Sequence, residues 1–322
     1  MSVGVSVNIA SLHAMRGELD AAAETARGAQ ETATRLGLAP LAAAALAVEA
    51  AAAGLRGRSG QLETLLRRSE ALAPDDPDLA AFRWGVGRGM CALVREERAA
   101  ALAAFRRAIR AQAPAAVLDT ARGPLLLTLA AEGTATGADL AAARATATPG
   151  AVWSDLWLGY GEAALAGARS DEHAAVTALA SADPAARRHP LFRAIGLRLL
   201  AEAALRDQWG DPVSWLRDAE AVLVSGGQDR IAAACRGLLR QAGASVPRRR
   251  GADRDLPGHL LRRGVTAREA EVLELVAERL SNKDIAARLY LSPRTVEKHV
   301  ASLLVKLDVA DRAALIGQAR QL

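Results

Sequence analysis

Apolar residues recur at helical spacing along most of the chain. One stripe consists of Leu62, Leu65, Leu66, Ser69 and Leu72, and another of Leu102, Phe105 and Ile109. Arginines or glutamates occupy the opposite side of each stretch. Because an α-helix completes a turn in about 3.6 residues, this spacing places the apolar side chains on one face. Each stretch is therefore predicted to be a helix that packs against a neighbour through that face.

Turn-forming segments interrupt these stretches at intervals of about 33 to 41 residues, a period typical of stacked two-helix repeats. The candidate turns are 15–20, 56–60, 94–98, 133–139, 167–172 and 207–212. Residues 8–29 resemble a tetratricopeptide-type hairpin, with Gly17 in the turn and small residues where two helices would approach closely. We predict an N-terminal array of helical hairpins, a tetratricopeptide-like solenoid, over residues 1–243.

The composition favours an all-α protein. Half of the 322 residues are apolar, mostly alanine and leucine, and only 3% are aromatic, which is typical of helices rather than of sheets. No apolar run reaches the roughly 18 residues of a membrane span, and the first residues show no signal-peptide pattern. We therefore expect a cytoplasmic protein with no membrane partner.

Two further features of the repeat region have competing interpretations. Cys91 and Cys235 each lie in an apolar helical stretch, which favours buried free thiols over a disulfide or a metal site. Trp153, Trp157 and Tyr160 form an i, i+4, i+7 stripe, for which a place in the core is favoured over the lining of a ligand groove.

The basic excess lies at the C-terminal end. Residues 246–322 contain 15 Lys and Arg against 10 Asp and Glu, whereas the preceding residues contain 26 of each, so the net charge of +5 belongs to this segment. All three lysines of the chain, Lys283, Lys298 and Lys306, also lie there. A small basic region joined to a larger neutral one indicates contact with a polyanion.

Residues 244–264 are rich in arginine, glycine and proline and show little helical periodicity, so we predict a linker. Arg248, Arg249 and Arg250 within it either contact DNA phosphates or form a solvated hinge.

The sequence offers no catalytic motif. A P-loop requires a lysine after its glycines, and no lysine precedes Lys283. The G-x-S-x-G and H-E-x-x-H patterns are also missing from the sequence. We predict that the chain is not an enzyme and requires no cofactor.

Three helix-start signals follow one another closely after residue 264; they are Thr266 with Glu269, Ser281 with Asp284, and Ser292 with Pro293. The middle helix then has only about two turns. In the third helix, 293–307, four aliphatic side chains lie within about 60° of one another on a helical wheel and predict its buried stripe; they are Val296, Val300, Leu303 and Leu307.

The opposite face of the third helix is polar and basic. It carries Arg294, Lys298, Ala301, Ser302 and Val305, with Thr295 and Glu297 on its flanks and His299 and Lys306 nearer the core. A short helix, a tight turn and a third helix with an outward basic face predict a helix-turn-helix, whose third helix enters a major groove about 12 Å wide.

Residues 265–315 resemble the LuxR-type (GerE-type) DNA-binding domain. They match its T-x-R-E-x-E-V-L, S-N-x-x-I-A, L-S-x-x-T-V-x-x-H-V and K-L-x-V-x-x-R elements in order and spacing. With the helical repeats before it, the chain is similar to the C-terminal part of large actinobacterial LuxR-family ATPase regulators. The resemblance implies a small four-helix domain over 265–322 that binds double-stranded DNA as a homodimer.

The resemblance also implies residue roles. The positions that the family turns toward base edges are Thr295, Glu297, Lys298 and Ala301. The positions that meet or neighbour the phosphate backbone are Lys283, Arg294, His299 and Lys306. The candidate positions of the dimerisation helix are Leu315, Ile316 and Ala319. Helix four could also simply close the core. Glu297 could accept a hydrogen bond from a cytosine amino group, or it could weaken binding by repelling phosphates.

Two positions depart from the family. Arg279 and Asp308 stand where it usually has glycine, which raises the question of a left-handed backbone at each.

The resulting prediction is a sequence-specific transcriptional regulator that is controlled through its repeat region by an unknown protein or small-molecule effector. The alternative is a protein-interaction scaffold whose C-terminal domain no longer binds DNA.

Overall fold

The computed structural model describes residues 2–246, 260, 263–289 and 291–319. The chain divides into two compact units, Met1–Val246 and Pro247–Leu322. All regular secondary structure in the described ranges is helical, which confirms the predicted all-α class. None of the helices in those ranges is long and apolar enough to cross a membrane.

The first unit is a succession of helices with short connections. They are α1 (Val3–Arg16), α2 (Leu19–Arg35), α3 (Ala39–Leu55), α4 (Ser59–Leu72), α5 (Pro77–Phe82), a π-helical segment (Arg83–Gly89), α6 (Met90–Val94), α7 (Arg98–Ile109), α8 (Ala115–Glu132), α9 (Gly137–Thr146), α10 (Val152–Ala168), α11 (Glu172–Ala186), α12 (Pro190–Asp207), α13 (Pro212–Ser225) and α14 (Asp229–Gln241). All six predicted turns fall at connections between consecutive helices, so the turn positions are confirmed.

Alanine faces bring these helices together. Ala22, Ala26, Ala29 and Ala33 lie on one side of α2 and are buried, and α2 packs against α3. Helix α3 is buried on nearly every side, since its alanines present no bulk beyond Cβ and allow neighbouring axes to approach closely. The predicted apolar stripes also pack inward, except at Leu72, which is 41% exposed. Their other members are buried or partly buried, and they are Leu62, Leu65, Leu66, Ser69, Leu102, Phe105 and Ile109.

Contacts in the first unit also join helices far apart in the chain. His189 Nδ1, just before α12, lies 2.7 Å from the carbonyl oxygen of Met15 in α1. The guanidinium of Arg198 donates to Glu96 over 2.7 Å, between α12 and the loop before α7. In a solenoid, each repeat contacts only its neighbours. The tetratricopeptide-like solenoid therefore stays a prediction.

The aromatic stripe of α10 lies in the core, which confirms the favoured interpretation of Trp153, Trp157 and Tyr160. Trp157 and Tyr160 are fully buried, and the partly buried Trp153 ring meets Phe192 edge-on at 5.0 Å between centroids.

Both cysteines are buried free thiols, which confirms that prediction. Burial raises the pKa of Cys91 to about 11 and that of Cys235 to about 12. Each thiol is therefore protonated in the folded protein near neutral pH.

The second unit contains four described helices, which are α15 (Ala267–Ala277), α16 (Asn282–Leu289), α17 (Pro293–Leu307) and α18 (Arg312–Ala319). Its core draws on all four, with Val272, Ile285, Leu303 and Leu315 fully buried. Leu260, which precedes α15, is buried in the same core.

Most of the predicted linker, 244–264, including Arg248, Arg249 and Arg250, lies outside the described residues. At its described ends the chain packs locally. Ala244 and Val246 lie against the core of the first unit, and Leu260 lies in the core of the second. The DNA-contacting and hinge interpretations of the three arginines both stay open.

Candidate nucleic-acid interface

Each helix start in the second unit is capped as its sequence predicts. The Thr266 Oγ1 accepts a hydrogen bond from the Glu269 N–H, and the Glu269 carboxylate accepts one from the Thr266 N–H over 2.7 Å. The Ser281 Oγ accepts a hydrogen bond from the Asp284 N–H over 3.2 Å before α16. The Ser292 Oγ accepts one from the Thr295 N–H over 3.1 Å before α17. These caps determine where the closely spaced helices begin.

The four aliphatic residues predicted to anchor α17 are all buried, and they are Val296, Val300, Leu303 and Leu307. They pack into a core shared with α15, α16 and α18. The rotation of α17 about its own axis is thereby determined, and its opposite face points to solvent.

The solvent-facing side of α17 carries half of the eight residues predicted to contact DNA. Arg294, Glu297, Lys298 and Ala301 are exposed, and so is Val305, with 81% of its surface accessible. We call these five residues the α17 ridge. None of its charged members has an ion-pair partner among the described residues.

The remaining predicted contacts differ in exposure. Lys283 is exposed on α16, whereas Thr295 and His299 are partly buried on α17. The Thr295 Oγ1 lies 2.8 Å from the Ser292 Oγ, so this hydroxyl already has a partner at the start of the helix.

Lys306 forms an ion pair inside the unit. Its Nζ donates to the two carboxylate oxygens of Glu269 over 2.9 and 2.7 Å. The Ser302 Oγ donates to the same carboxylate over 2.6 Å. The placement of Ser302 on the outward face was therefore wrong, because its hydroxyl turns toward α15. Lys306 was predicted to contact a DNA phosphate. That contact stays a prediction, and the Lys306 amine already has a carboxylate partner within the unit.

The Glu269 carboxylate is almost inaccessible, with 6% of its side-chain surface exposed. Burial opposes its ionisation, but hydrogen bonds from Lys306, Ser302 and Thr266 outweigh burial and lower the pKa of Glu269 to about 2. An ionised Glu269 thus ties the start of α15 to the last turns of α17.

Arginine side chains donate to backbone carbonyls at or just beyond the ends of three helices. Arg268 donates to the Leu289 carbonyl over 2.7 Å, and Arg312 donates to the Leu280 carbonyl over 2.6 Å. Arg263 donates to the Leu307 carbonyl over 2.6 Å at the end of α17. These contacts tie the end of α16, the connection before it and the end of α17 to other parts of the unit. Sequence analysis missed the roles of Arg263 and Arg312, although Arg312 is the arginine of the matched K-L-x-V-x-x-R element.

The two positions where glycine is usual both have left-handed backbones. Arg279 has φ of 62° and Asp308 has φ of 56°. Such a conformation strains a side chain with a Cβ, less so for aspartate than for arginine. Both turns therefore place a residue other than glycine in the left-handed region.

The candidate dimerisation residues lie on α18. Leu315 is fully buried, and Ile316 and Ala319 are partly buried against the same core. Helix α18 closes the core of the unit through these side chains. Their part in dimerisation stays a prediction.

Comparison with protein families decides the identity of this unit. Residues 264–319 match the family described as bacterial regulatory proteins, luxR family. The C-terminal unit is a LuxR-type helix-turn-helix domain. A comparison with solved structures found no match.

Related proteins match the chain over this LuxR-type domain. A protein of Mycobacterium bovis named as an HTH-type transcriptional regulator is 49% identical over 55 residues, which cover 17% of this chain and 6% of the relative. In Bacillus subtilis, the uncharacterized transcriptional regulatory protein YhcZ is 54% identical over 48 residues, 15% of this chain and 22% of the relative. The transcriptional regulatory protein LiaR of the same species is 46% identical over 48 residues, 15% of this chain and 23% of the relative. The likeness to these proteins therefore concerns one domain of each.

Proposed function

We propose that this chain is a DNA-binding transcriptional regulator and that α17 enters the major groove of double-stranded DNA. The observation that carries the proposal is the α17 ridge, which lies opposite the buried stripe of the same helix. The helix has 15 residues and is about 22 Å long, and the major groove admits an α-helix. The LuxR-type domain and the names of its relatives support the same function.

In this proposal the ridge divides into base-reading and phosphate-binding positions. Lys298 is exposed and can extend to the O6 and N7 atoms of guanine, and the neighbouring Glu297 can accept a hydrogen bond from a cytosine amino group. Arg294, in the first turn of α17, and Lys283, on α16, are exposed cations suited to phosphates on either side of the groove. Thr295, Ala301 and His299 complete the proposed contacts.

The proposal also includes a homodimer on paired half-sites, with α18 at the dimer interface, and control of the dimer by the first unit. The presence of a large helical unit in the same chain as a small LuxR-type domain supports such control. A dimer would place its two recognition helices in successive major grooves, about 34 Å apart.

The test begins with selection of bound duplexes from a random pool by the full-length chain. Fluorescence anisotropy then measures the affinity of each variant for the selected duplex and for a scrambled one. Lys298→Ala is expected to cost about 1 to 3 kcal/mol on the selected duplex and little on the scrambled one. Arg294→Ala is expected to weaken both alike and to reduce the salt slope by about 0.9.

Arg169→Ala provides a matched control, because Arg169 is exposed in the first unit and far along the chain from the domain. Equal losses on both duplexes from Lys298→Ala would contradict the division into base-reading and phosphate-binding residues. If the full-length chain showed no salt-dependent binding to any duplex, the interaction-scaffold alternative would replace the regulator.

A further inference from the structure

A second cationic surface lies in the first unit, away from the α17 ridge in sequence. Helices α4 and α7 border an open groove of about 510 Å³, whose floor is the π-helical segment and α6. Its walls include Glu63 from α4, Arg107 from α7 and Arg110 directly after α7, while Trp84 and Arg88 rise from the floor. We call this the α4–α7 groove.

The floor has an unusual backbone. The π-helical segment reads Arg-Trp-Gly-Val-Gly-Arg-Gly, and glycines inside a helix are unfavourable. Gly89 is required by packing, because a Cβ there would lie 2.4 Å from Cε1 of Phe105. The π-helical segment thus packs closely against α7 on one side, and on the other side its Trp84 and Arg88 line the groove. Wide helical turns of this kind are frequent at functional sites.

Two guanidinium groups flank the Trp84 ring. The Cζ of Arg88 lies 4.4 Å from the ring centroid and the Cζ of Arg107 lies 4.6 Å from it. Arg88 also binds the carboxylates of Glu63 and Glu70 over 2.9 and 3.2 Å, so its charge is balanced.

The α7 wall of the groove holds the unbalanced charge. Arg107 and Arg110 are both exposed, and within the described part of the chain neither lies within ion-pair distance of a carboxylate. Alanines at 100, 103 and 104 continue the same wall and leave it shallow and apolar. A positively charged end next to an indole ring and an alanine surface favours a ligand with carboxylates beside an apolar side chain.

We propose that the α4–α7 groove binds an acidic, extended peptide segment of a partner protein. The α7 wall from Ala100 to Arg110 is about 15 Å long, which matches four to five residues of extended chain. In the proposed complex, carboxylates of the peptide meet Arg107 and Arg110, and an apolar side chain lies on the alanine surface of α7 beside the Trp84 ring.

Other ligands fit the groove less well. Small-molecule sites usually enclose most of their ligand, whereas this groove is open along its length. Duplex DNA presents its phosphates on a convex surface about 20 Å across, which is too wide to enter a groove whose wall is about 15 Å long. An extended peptide can enter such a recess and leave its own backbone partly in solvent.

The experiment selects peptides from a random seven-residue library on the immobilised full-length protein. Affinities of the selected peptides are then measured by fluorescence polarisation for the wild type, Arg107→Glu, Arg106→Glu and Trp84→Phe. Arg106 is the matched control, because it is exposed on the same helix but does not line the groove. Circular dichroism verifies that each variant folds.

The selected peptides are expected to be enriched in Asp and Glu. Arg107→Glu should weaken them about tenfold, because it replaces attraction by repulsion, while Arg106→Glu should change their affinity less than about twofold. Replacing the acids of a selected peptide by lysine should restore binding to Arg107→Glu. A selection without acidic bias, no selected peptide at all, equal effects of the two charge reversals, or displacement of the peptides by a DNA duplex would each overturn the proposal.

Discussion

The carboxylate of Glu269 offers the sharpest test of how the LuxR-type domain is held together. Glu269→Gln keeps the size of the side chain but removes the charge that pairs with Lys306 and attracts the Ser302 hydroxyl. The amide can still meet Thr266 at the start of α15. Lys306 then lacks the carboxylate partner that it has in the native protein.

The magnitude follows from the pKa of Glu269, which is lowered from 4.5 to about 2 in the folded state. Each unit corresponds to about 1.4 kcal/mol, so the ionised carboxylate stabilises the domain by about 3 kcal/mol at pH 7. Because the folded pKa is the lower one, this contribution is complete above the unfolded pKa of 4.5 and is lost as the pH falls toward 2. At pH 3 only about 1.5 kcal/mol of it should remain.

Hydrogen exchange of the full chain, read by mass spectrometry, can isolate this domain. Peptides from 266–307 should exchange roughly 100-fold faster in Glu269→Gln than in the wild type at pH 7, with a much smaller difference at pH 3. Peptides from the first unit should not change.

The control is Glu278→Gln. Glu278 also has an ion-pair partner, Arg288, but 52% of its side-chain surface is exposed, so its loss should cost under about 1 kcal/mol. Equal protection of Glu269→Gln and the wild type at pH 7, or an undiminished difference at pH 3, would refute the assignment of this stability to the ionised carboxylate.

Three further predictions concern backbone strain, the core and the thiols. Arg279→Gly should raise the free energy of unfolding of the domain by about 0.5 to 1 kcal/mol, measured by the same exchange, because the φ of Arg279 is 62°. Unchanged or lower protection would contradict this. Leu303→Ala should cost about 2 to 5 kcal/mol and abolish DNA binding, since Leu303 is fully buried, and retained binding with native protection would argue against the core assignment. At pH 8, Cys91 and Cys235 should resist a disulfide reagent in the native protein and react after urea unfolding, because their pKa values are raised to about 11 and about 12; rapid native labelling would be inconsistent with their burial.

The proposed peptide groove and the proposed DNA surface make separable claims about the chain. Arg107→Glu lies in the first unit and should leave the affinity of the full-length chain for its selected duplex unchanged when no peptide is present. If a selected peptide altered that affinity for the wild type but not for Arg107→Glu, the groove would be a route by which a partner controls DNA binding.

Several features of the LuxR-type domain were predictable because they depend on residues close together in sequence. The caps at Thr266, Ser281 and Ser292 involve partners three residues away, and the stripe from Val296 to Leu307 depends only on the helical period. The outward direction of Arg294 and Lys298 follows from that stripe, since they lie on the opposite side of the same helix. The turns of the first unit were predictable for the same local reason.

Other features depended on which helices become neighbours. Lys306 lies at the edge of the α17 stripe, where a long side chain can reach either solvent or a neighbouring helix, and its distance from Glu269 in the chain is 37 residues. Only the packing of α15 against α17 brought the carboxylate to it and turned Ser302 inward.

The α4–α7 groove also depends on which helices become neighbours. Trp84 and Arg107 are separated by more than twenty residues, and their contact requires the π-helical segment to lie against α7. Local sequence determined where the helices begin and which of their faces are apolar, because capping and periodicity act within one or two turns. Tertiary structure decided which charged side chains are paired inside the protein and which remain available to a partner, because ion pairing depends on the helix that packing places opposite each charge.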